Sequence, residues 1–290
     1  MLDKNSIMYC PICKEELYKE SENKIYKCKN NHSYDIAKQG YVNLLISNQK
    51  NSKNPGDSKE MVLARIDFLS RGFYKKISEE ISRVIGKYLN EKGTESNINI
   101  LDVGCGEGYY LSNLKESLKD NNTDISYYGI DVSKEAVKYA ARNDKECIFS
   151  VGTNYHLPIK NESCDIVFSV FSPIDIDEVD RVLKHDGIFL RVLPRVNHLI
   201  ELRDIIYDDV KIKDKVYKVD ENKGKYIDEV NITYKMDLNS EEIDSLLKMT
   251  PHYWKSNKEN KEKLLKYNEL SITVDMRIGV FSKKDKTEKE

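Results

Sequence analysis

Residues 98–110, Ile-Asn-Ile-Leu-Asp-Val-Gly-Cys-Gly-Glu-Gly-Tyr-Tyr, constrain the fold more than any other stretch. Ile98, Ile100, Leu101 and Val103 form an apolar run of the kind buried in a parallel sheet. Tyr110, Leu111, Leu114 and Leu118 then follow with helical spacing. Between them, Gly104, Gly106 and Gly108 let the backbone turn sharply and approach a ligand with no Cβ in the way. The helix start would offer unpaired N–H groups to a polar or anionic ligand. Further on, Tyr127-Tyr128-Gly129-Ile130-Asp131 reads as a second strand ending in an acid, which puts the Asp131 carboxylate where a ribose diol would lie.

The loop is not a dinucleotide fingerprint. Its last glycine comes one residue too early for Gly-x-Gly-x-x-Gly, and Glu107 sits inside it. A carboxylate there would repel a pyrophosphate and attract an ammonium or sulfonium. Asp102-x-Gly-x-Gly-x-Gly resembles motif I of class I S-adenosylmethionine (SAM) methyltransferases. That resemblance implies an α/β fold, a Rossmann-like, seven-stranded and mostly parallel sheet, with Asp102, Gly104, Gly106, Glu107 and Asp131 facing SAM.

The second informative pattern is Cys10-Pro-Ile-Cys13 followed by Cys28-Lys-Asn-Asn-His32, which has the ligand arithmetic of a tetrahedral Cys3His zinc site. Glu15 to Tyr26 has the length of a hairpin, and so polar a segment needs a metal as its staple. A redox Cys-x-x-Cys would need neither Cys28 nor His32. A closed four-ligand site leaves no open coordination position, so the zinc is expected to build a module and not to catalyse.

At 290 residues the chain allows one large domain and a small accessory one. Its organisation reads as a zinc module over 1–46, a linker over 47–56 without apolar residues, a methyltransferase domain over 57–282 and a polar tail over 283–290. Ser58 or Asp57 would cap a first helix, and a second runs from about Phe73 to Leu89. Later strands are expected at 147–151, 165–171, 187–193, 231–238 and 270–281. Thr153 and Asn154, past the third strand, would meet an adenine edge, and residues 211–228 read as an exposed charged insertion or hairpin. No window is apolar enough to span a membrane, and the N-terminus lacks a signal-peptide core. The six cysteines suit a reducing cytoplasm without disulfides. Net charge is −2, yet Lys27, Lys29, Lys38, Lys50 and Lys53 against Asp35 alone give 27–53 a local charge of +4.

Taken in order, the zinc spacing, Gly-Tyr-Val-Asn-Leu-Leu (40–45), Pro-Gly-Asp (55–57), Cys-Gly-Glu-Gly-Tyr-Tyr (105–110), Asp-Val-Ser-Lys (131–134) and Met-Thr-Pro-x-x-Trp (249–254) resemble the large-subunit ribosomal RNA guanine-N1 methyltransferases of the RlmA/TlrB type. The resemblance runs over nearly the whole chain. It implies SAM as methyl donor, N1 of a guanine in a 23S rRNA hairpin as acceptor, a zinc module that reads RNA, and a homodimer. By the same resemblance Cys10, Cys13, Cys28 and His32 ligate zinc, and Tyr74, Gly106, Glu107 and His198 contact the cofactor.

Guanine N1 carries a proton and is masked in a paired stem, so the base must be unpaired or flipped and its proton removed. Asp175, Asp177 and Glu178, just past Ser172-Pro173, are the candidate bases, and the sequence does not choose among them. Two other functions share these motifs: a small-molecule methyltransferase, and a SAM-binding RNA module without catalysis.

Overall fold

The computed structural model describes residues 2–3, 6–22, 24–50, 55–93, 97–120, 123–207 and 225–283. The N-terminal module contains β1 (Leu2–Asp3), β2 (Tyr18–Glu20), β3 (Ile25–Lys27) and β4 (Ser33–Asp35), paired in that order as an antiparallel sheet. After it come β5 (Val42–Asn43), α1 (Lys59–Ser70) and α2 (Lys75–Lys92), with the Ser58 hydroxyl accepting from Met61 N at the start of α1. The catalytic region continues through β6 (Ile98–Val103), α3 (Tyr109–Ser117), β7 (Ile125–Asp131), α4 (Lys134–Asn143), β8 (Ile148–Val151), β9 (Cys164–Val170), α5 (Ile176–Val182) and β10 (Leu183–Pro194). It ends with α6 (Ile200–Ile206), β11 (Lys225–Asn239), α7 (Ser240–Met249), α8 (His252–Lys255), α9 (Lys258–Leu264) and β12 (Glu269–Ser282).

These strands form one sheet in the order β11-β12-β10-β9-β6-β7-β8-β5, parallel except where β12 pairs antiparallel with β10 and β11. The order reverses at β6, so the loop after β6 opens at a switch point, where doubly wound sheets bind ligands. The sheet has eight strands, not the seven expected. The extra one is β5, which leaves the zinc module to pair with β8 at the sheet edge. It is two residues long, too short for any periodic signal.

Side chains of the central strands alternate between two apolar clusters, as a period of two requires. Ile98, Ile100, Ile166, Phe168, Leu190 and Val192 join helices α2, α3 and α4 on one face. Leu101, Val103, Tyr128, Ile130, Val167 and Phe189 point to the other, where they meet Val179 and Val182 of α5 and the zinc module's Ile7, Met8, Leu17 and Tyr26. The module is thus a covering layer of the catalytic sheet. Backbone bonds seal the contact: Tyr9 N donates to the Pro158 carbonyl (3.0 Å) and Lys160 N to that of Ile7 (2.8 Å). The linker expected over 47–56 begins with a 3-10 turn at Ser47–Gln49; residues 51–54 of it lie outside the described residues. So does the charged stretch expected at 211–228 as far as residue 224, and the tail from 284. No helix among the described residues is long and apolar enough to cross a membrane.

Because Leu17 of β2's approach is fully buried in the shared cluster, Leu17→Ala should cost about 2–5 kcal/mol. It should also lower the stability of the whole chain in one transition. Denaturant unfolding followed by far-UV and near-UV signals checks this; a separate early transition confined to the module would show that the two layers fold independently.

Candidate cofactor pocket and zinc site

At the carboxyl end of β6 the chain turns back on itself. Gly104 N and Cys105 N both donate to the Ile130 carbonyl of β7 (2.8 and 3.0 Å), which stitches the loop to the neighbouring strand before α3 begins. Gly104 adopts φ 82°, and a Cβ there would lie 2.1 Å from Ser172 Oγ, so only glycine allows the segment after β9 to pack so close. At Gly106 (φ 55°) a Cβ would meet nothing within 4 Å except Arg65 Nη1 at 3.5 Å, so this side of the loop is open.

Acids surround the turn. Asp131 accepts from Gly106 N through Oδ2 (3.0 Å) and from Ser133 N through Oδ1 (2.7 Å). Each oxygen keeps a further lone pair, which suits ribose hydroxyls. Asp102 is buried with neither carboxylate oxygen hydrogen-bonded. Burial first, then the charges of Asp131 and Glu107, push its carboxyl well above the usual range. Glu107 is buried too; desolvation raises its carboxyl to about 7, against the pull of Arg65, whose Nη1 lies 3.9 Å from Oε2. Asn154 donates through Nδ2 to Ser172 Oγ and the Pro173 carbonyl, both at 2.9 Å, while its Oδ1 is buried with no partner.

Buried acceptors without donors are costly unless a ligand supplies them. Asp102, Glu107 Oε2 and Asn154 Oδ1 are such acceptors. They fit a ligand that brings an ammonium, a sulfonium and an amino-bearing purine, which describes SAM and excludes a pyrophosphate. The pocket's residues therefore fit the cofactor that motif I implies.

An aromatic group stands at the rim. Tyr74, at the start of α2, has its ring centroid 6.0 Å from Phe171 and 6.3 Å from His198, and Phe171 stacks on His198 at 6.1 Å and 15°. Burial lowers the His198 imidazole to about 3, so it is neutral at pH 7. Its loop is anchored by buried Asp275, whose carboxylate accepts from Arg195 Nη1 (3.0 Å), Thr233 Oγ1 (3.0 Å) and Asn197 N (3.2 Å). Phe171 was not legible as a site residue. It ends a run of apolar strand residues, and only its backbone, at φ 58° for an exposed aromatic, sets it apart.

The candidate bases do not converge. Asp175 caps α5 by accepting from Asp177 N (2.9 Å). Glu178 accepts from Leu157 N (2.6 Å) and from Arg181 Nε and Nη2 (2.7 and 2.8 Å). Burial would raise the Glu178 carboxyl, but Arg181 outweighs it and the net shift is downward. These bonds favour structural roles for both. Asp177 is exposed on the first turn of the same helix.

In the module, Lys14 N donates to the Cys10 carbonyl (2.9 Å) and Asn31 N to that of Cys28 (2.9 Å), closing two tight turns whose last residues have positive φ. All four ligand atoms of Cys10, Cys13, Cys28 and His32 lie within 4.8 Å of one another. His32 Nδ1 is 3.6, 3.3 and 3.5 Å from the sulfurs of Cys10, Cys13 and Cys28, and Cys13 and Cys28 sulfurs are 3.6 Å apart. Tetrahedral zinc with ordinary bond lengths sets S···N at about 3.6 Å and S···S at about 3.8 Å. The geometry is that of a zinc site. The Tyr34 hydroxyl, 3.0 Å from Cys10 Sγ, can donate to the thiolate. Beside the first turn, a groove of about 470 Å³ runs from Pro11 and Lys14 past Asn48 and Gln49 to Tyr155 and His156 on the loop after β8. Of the basic stretch, Lys29 pairs with Glu15 at 2.8 Å and Lys53 lies outside the described residues.

Two outcomes follow from these geometries. Structural zinc contributes roughly 10–16 kcal/mol in small peptides, as much as the entire stability of many domains. Cys28→Ser should therefore abolish the single equivalent of metal and unfold the module. Because the core is shared, the melting temperature of the whole chain should fall as well; unchanged melting on metal loss would refute the coupling. If the ionised Glu107 holds a cation, SAM affinity is full above about pH 7 and falls as pH drops through it, approaching tenfold per unit. Calorimetric titration across that range checks this, and Glu107→Gln should flatten the profile.

Comparison with known proteins agrees with both sites. The RlmA N-terminal zinc-ribbon family matches residues 8–53, and the family described as Methyltransferase domain matches 94–269. The Bacillus subtilis protein YxjB, which carries the name of a 23S rRNA (guanine-N(1)-)-methyltransferase, is 30% identical over 96% of this chain and 98% of its own length. The 23S rRNA (guanine(748)-N(1))-methyltransferase of Streptomyces fradiae is 32% identical over 70% of this chain and 69% of its own. With its zinc-ligand geometry, its acidic glycine loop and these matches along almost its whole length, the chain belongs to the 23S rRNA (guanine-N1)-methyltransferase family, with a zinc ribbon of the RlmA type.

Proposed function

We propose that this enzyme transfers the methyl group of SAM to N1 of an unpaired guanine in a 23S rRNA hairpin. The observation that carries the reading is similarity to ribosomal RNA guanine-N1 methyltransferases through the zinc ribbon as well as the cofactor domain. A small-molecule methyltransferase would share only the second of these.

SAM, when bound, supplies an electrophilic methyl on its sulfonium. Asp131 would hold the ribose, Asn154 Oδ1 the adenine amino group, and Glu107 the cationic end, with Tyr74 and His198 at the methyl side. The exposed ring of Phe171, stacked on His198, offers a surface for the flipped guanine, since base–aromatic stacking offsets the loss of stacking in RNA. As N1 takes the methyl, its proton would pass to water or to one of the candidate bases Asp175, Asp177 and Glu178. Residues 1–46 would serve as the RNA-recognition module and 57–282 as the transferase. The groove between Lys14 and Tyr155 would hold nucleotides flanking the target, and two chains would act as a homodimer, which light scattering would detect.

The test is transfer of labelled methyl to 23S rRNA hairpin transcripts, with primer extension to find the modified base. A single stop at an unpaired guanine is expected, since N1 methylation blocks Watson–Crick pairing. Label on N7, on an exocyclic amine or on a small molecule would overturn the reading. Tyr155→Ala should weaken RNA binding by about 1–3 kcal/mol while leaving SAM affinity unchanged.

A further inference from the structure

Arg65 stands beside the open face of the cofactor loop and is held there by other partners. Its Nη2 pairs with Asp57 Oδ2 at 2.5 Å and donates to the Met249 carbonyl at 3.3 Å. Nη1 projects to within 3.5 Å of where a Gly106 Cβ would stand and stops 3.9 Å from Glu107 Oε2. That is longer than a hydrogen bond, and Oε2 has no hydrogen-bond partner. A carboxylate so buried normally closes on a guanidinium at about 2.7–2.9 Å. Here Asp57 takes the short contact and Glu107 does not.

The result is a cation and an anion fixed side by side at the mouth of a glycine turn, each with unused hydrogen-bonding capacity toward the same space. Glu107 alone would repel a carboxylate, and Arg65 alone would repel an ammonium. The two together match a zwitterion whose charges lie on neighbouring substituents of one carbon. We propose that Arg65 and Glu107 form the amino-acid subsite of the pocket, Arg65 receiving the α-carboxylate of SAM and Glu107 its α-ammonium. This rests on the reading of the pocket as a SAM site and adds the residue that recognises the methionine end. It also gives Asp57 and the Met249 carbonyl a role: they position the guanidinium before the ligand arrives, so little ordering remains to be done on binding.

Calorimetric titration with two ligands separates this from a merely structural role. S-adenosylhomocysteine carries the amino-acid zwitterion, whereas 5′-methylthioadenosine keeps the adenosine and thioether but lacks it. Arg65→Ala should weaken S-adenosylhomocysteine by roughly ten- to a hundredfold, the range for a lost charge-assisted hydrogen bond, and leave methylthioadenosine within about twofold. Arg65→Lys should fall between, since it keeps the charge and loses the fork. Equal losses for both ligands would reduce Arg65 to a strut and overturn the proposal. Decarboxylated SAM tests the same contact in the unmutated protein: it should bind roughly tenfold or more below SAM, and equal binding would also overturn it. Should the unmutated protein bind neither S-adenosylhomocysteine nor methylthioadenosine, the SAM reading itself fails, and the subsite with it.

Discussion

The central strands β6, β7 and β9 are buried on both faces, and such a sheet needs apolar cover on each. Helices α2, α3 and α4 supply one layer. On the other, around Leu101, Val103, Tyr128, Ile130 and Val167, α5 alone does not suffice, and the zinc ribbon completes the layer with Ile7, Met8, Leu17 and Tyr26. The ribbon in turn has too few apolar residues to fold without a metal and a surface to lie on. Each part therefore supplies what the other lacks. The groove at Lys14 and Tyr155 is thus joined to the catalytic sheet by a shared core and not by a tether alone.

Electrostatics set the character of the pocket. Asp102, Glu107 and Asp131 crowd one turn, and burial raises each carboxyl above its ordinary value. Arg65 is a cation that the fields of Glu107 and Asp131 reach. A site so rich in desolvated acceptors gains most from a ligand with positive charge and donor groups, since each contact both forms a hydrogen bond and relieves repulsion among the acids. The same arrangement disfavours nucleotide phosphates. The glycine loop thus shares its backbone logic with dinucleotide sites while its side chains reverse the ligand's charge.

Much of this was legible in sequence because the signals are local. Strand, glycine turn and helix follow one another within 98–118, the zinc ligands fall in two short clusters, and Ser58 caps α1 through its own neighbour Met61. What escaped depends on tertiary contacts between distant residues. Val42 and Asn43 form a strand only because β8 is there to pair with. Arg65 lies on a helix of mixed composition, and its meaning comes from Asp57 and Glu107 in separate elements. Phe171 looks like the end of a buried strand until the backbone turns it outward at φ 58°. Asp175, Asp177 and Glu178 stood as equal candidate bases because spacing from the rim cannot show that Asp175 caps a helix and that Glu178 pairs with Arg181.

The fate of the N1 proton shows how far the geometry constrains the chemistry. His198 is the residue one would first choose as a base, yet burial holds it neutral far below pH 7, so it has little affinity for a proton. Its Nδ1 faces the Asp275 N–H at a long 3.4 Å, an arrangement that puts the ring proton on Nε2. The imidazole is then a donor on its other side, suited to orient an acceptor and not to abstract a proton. Asp175 and Glu178 are occupied within α5 and its ion pair. With Asp175 and Glu178 so engaged and Asp177 exposed on the same helix, alignment of N1 with the methyl group would supply a large part of the rate. Proximity and alignment can supply about 7–11 kcal/mol of a barrier, and the bonds that Asp275 accepts from Asn197 N, beside His198, and Asp131 from Gly106 N hold the two segments that flank the pocket.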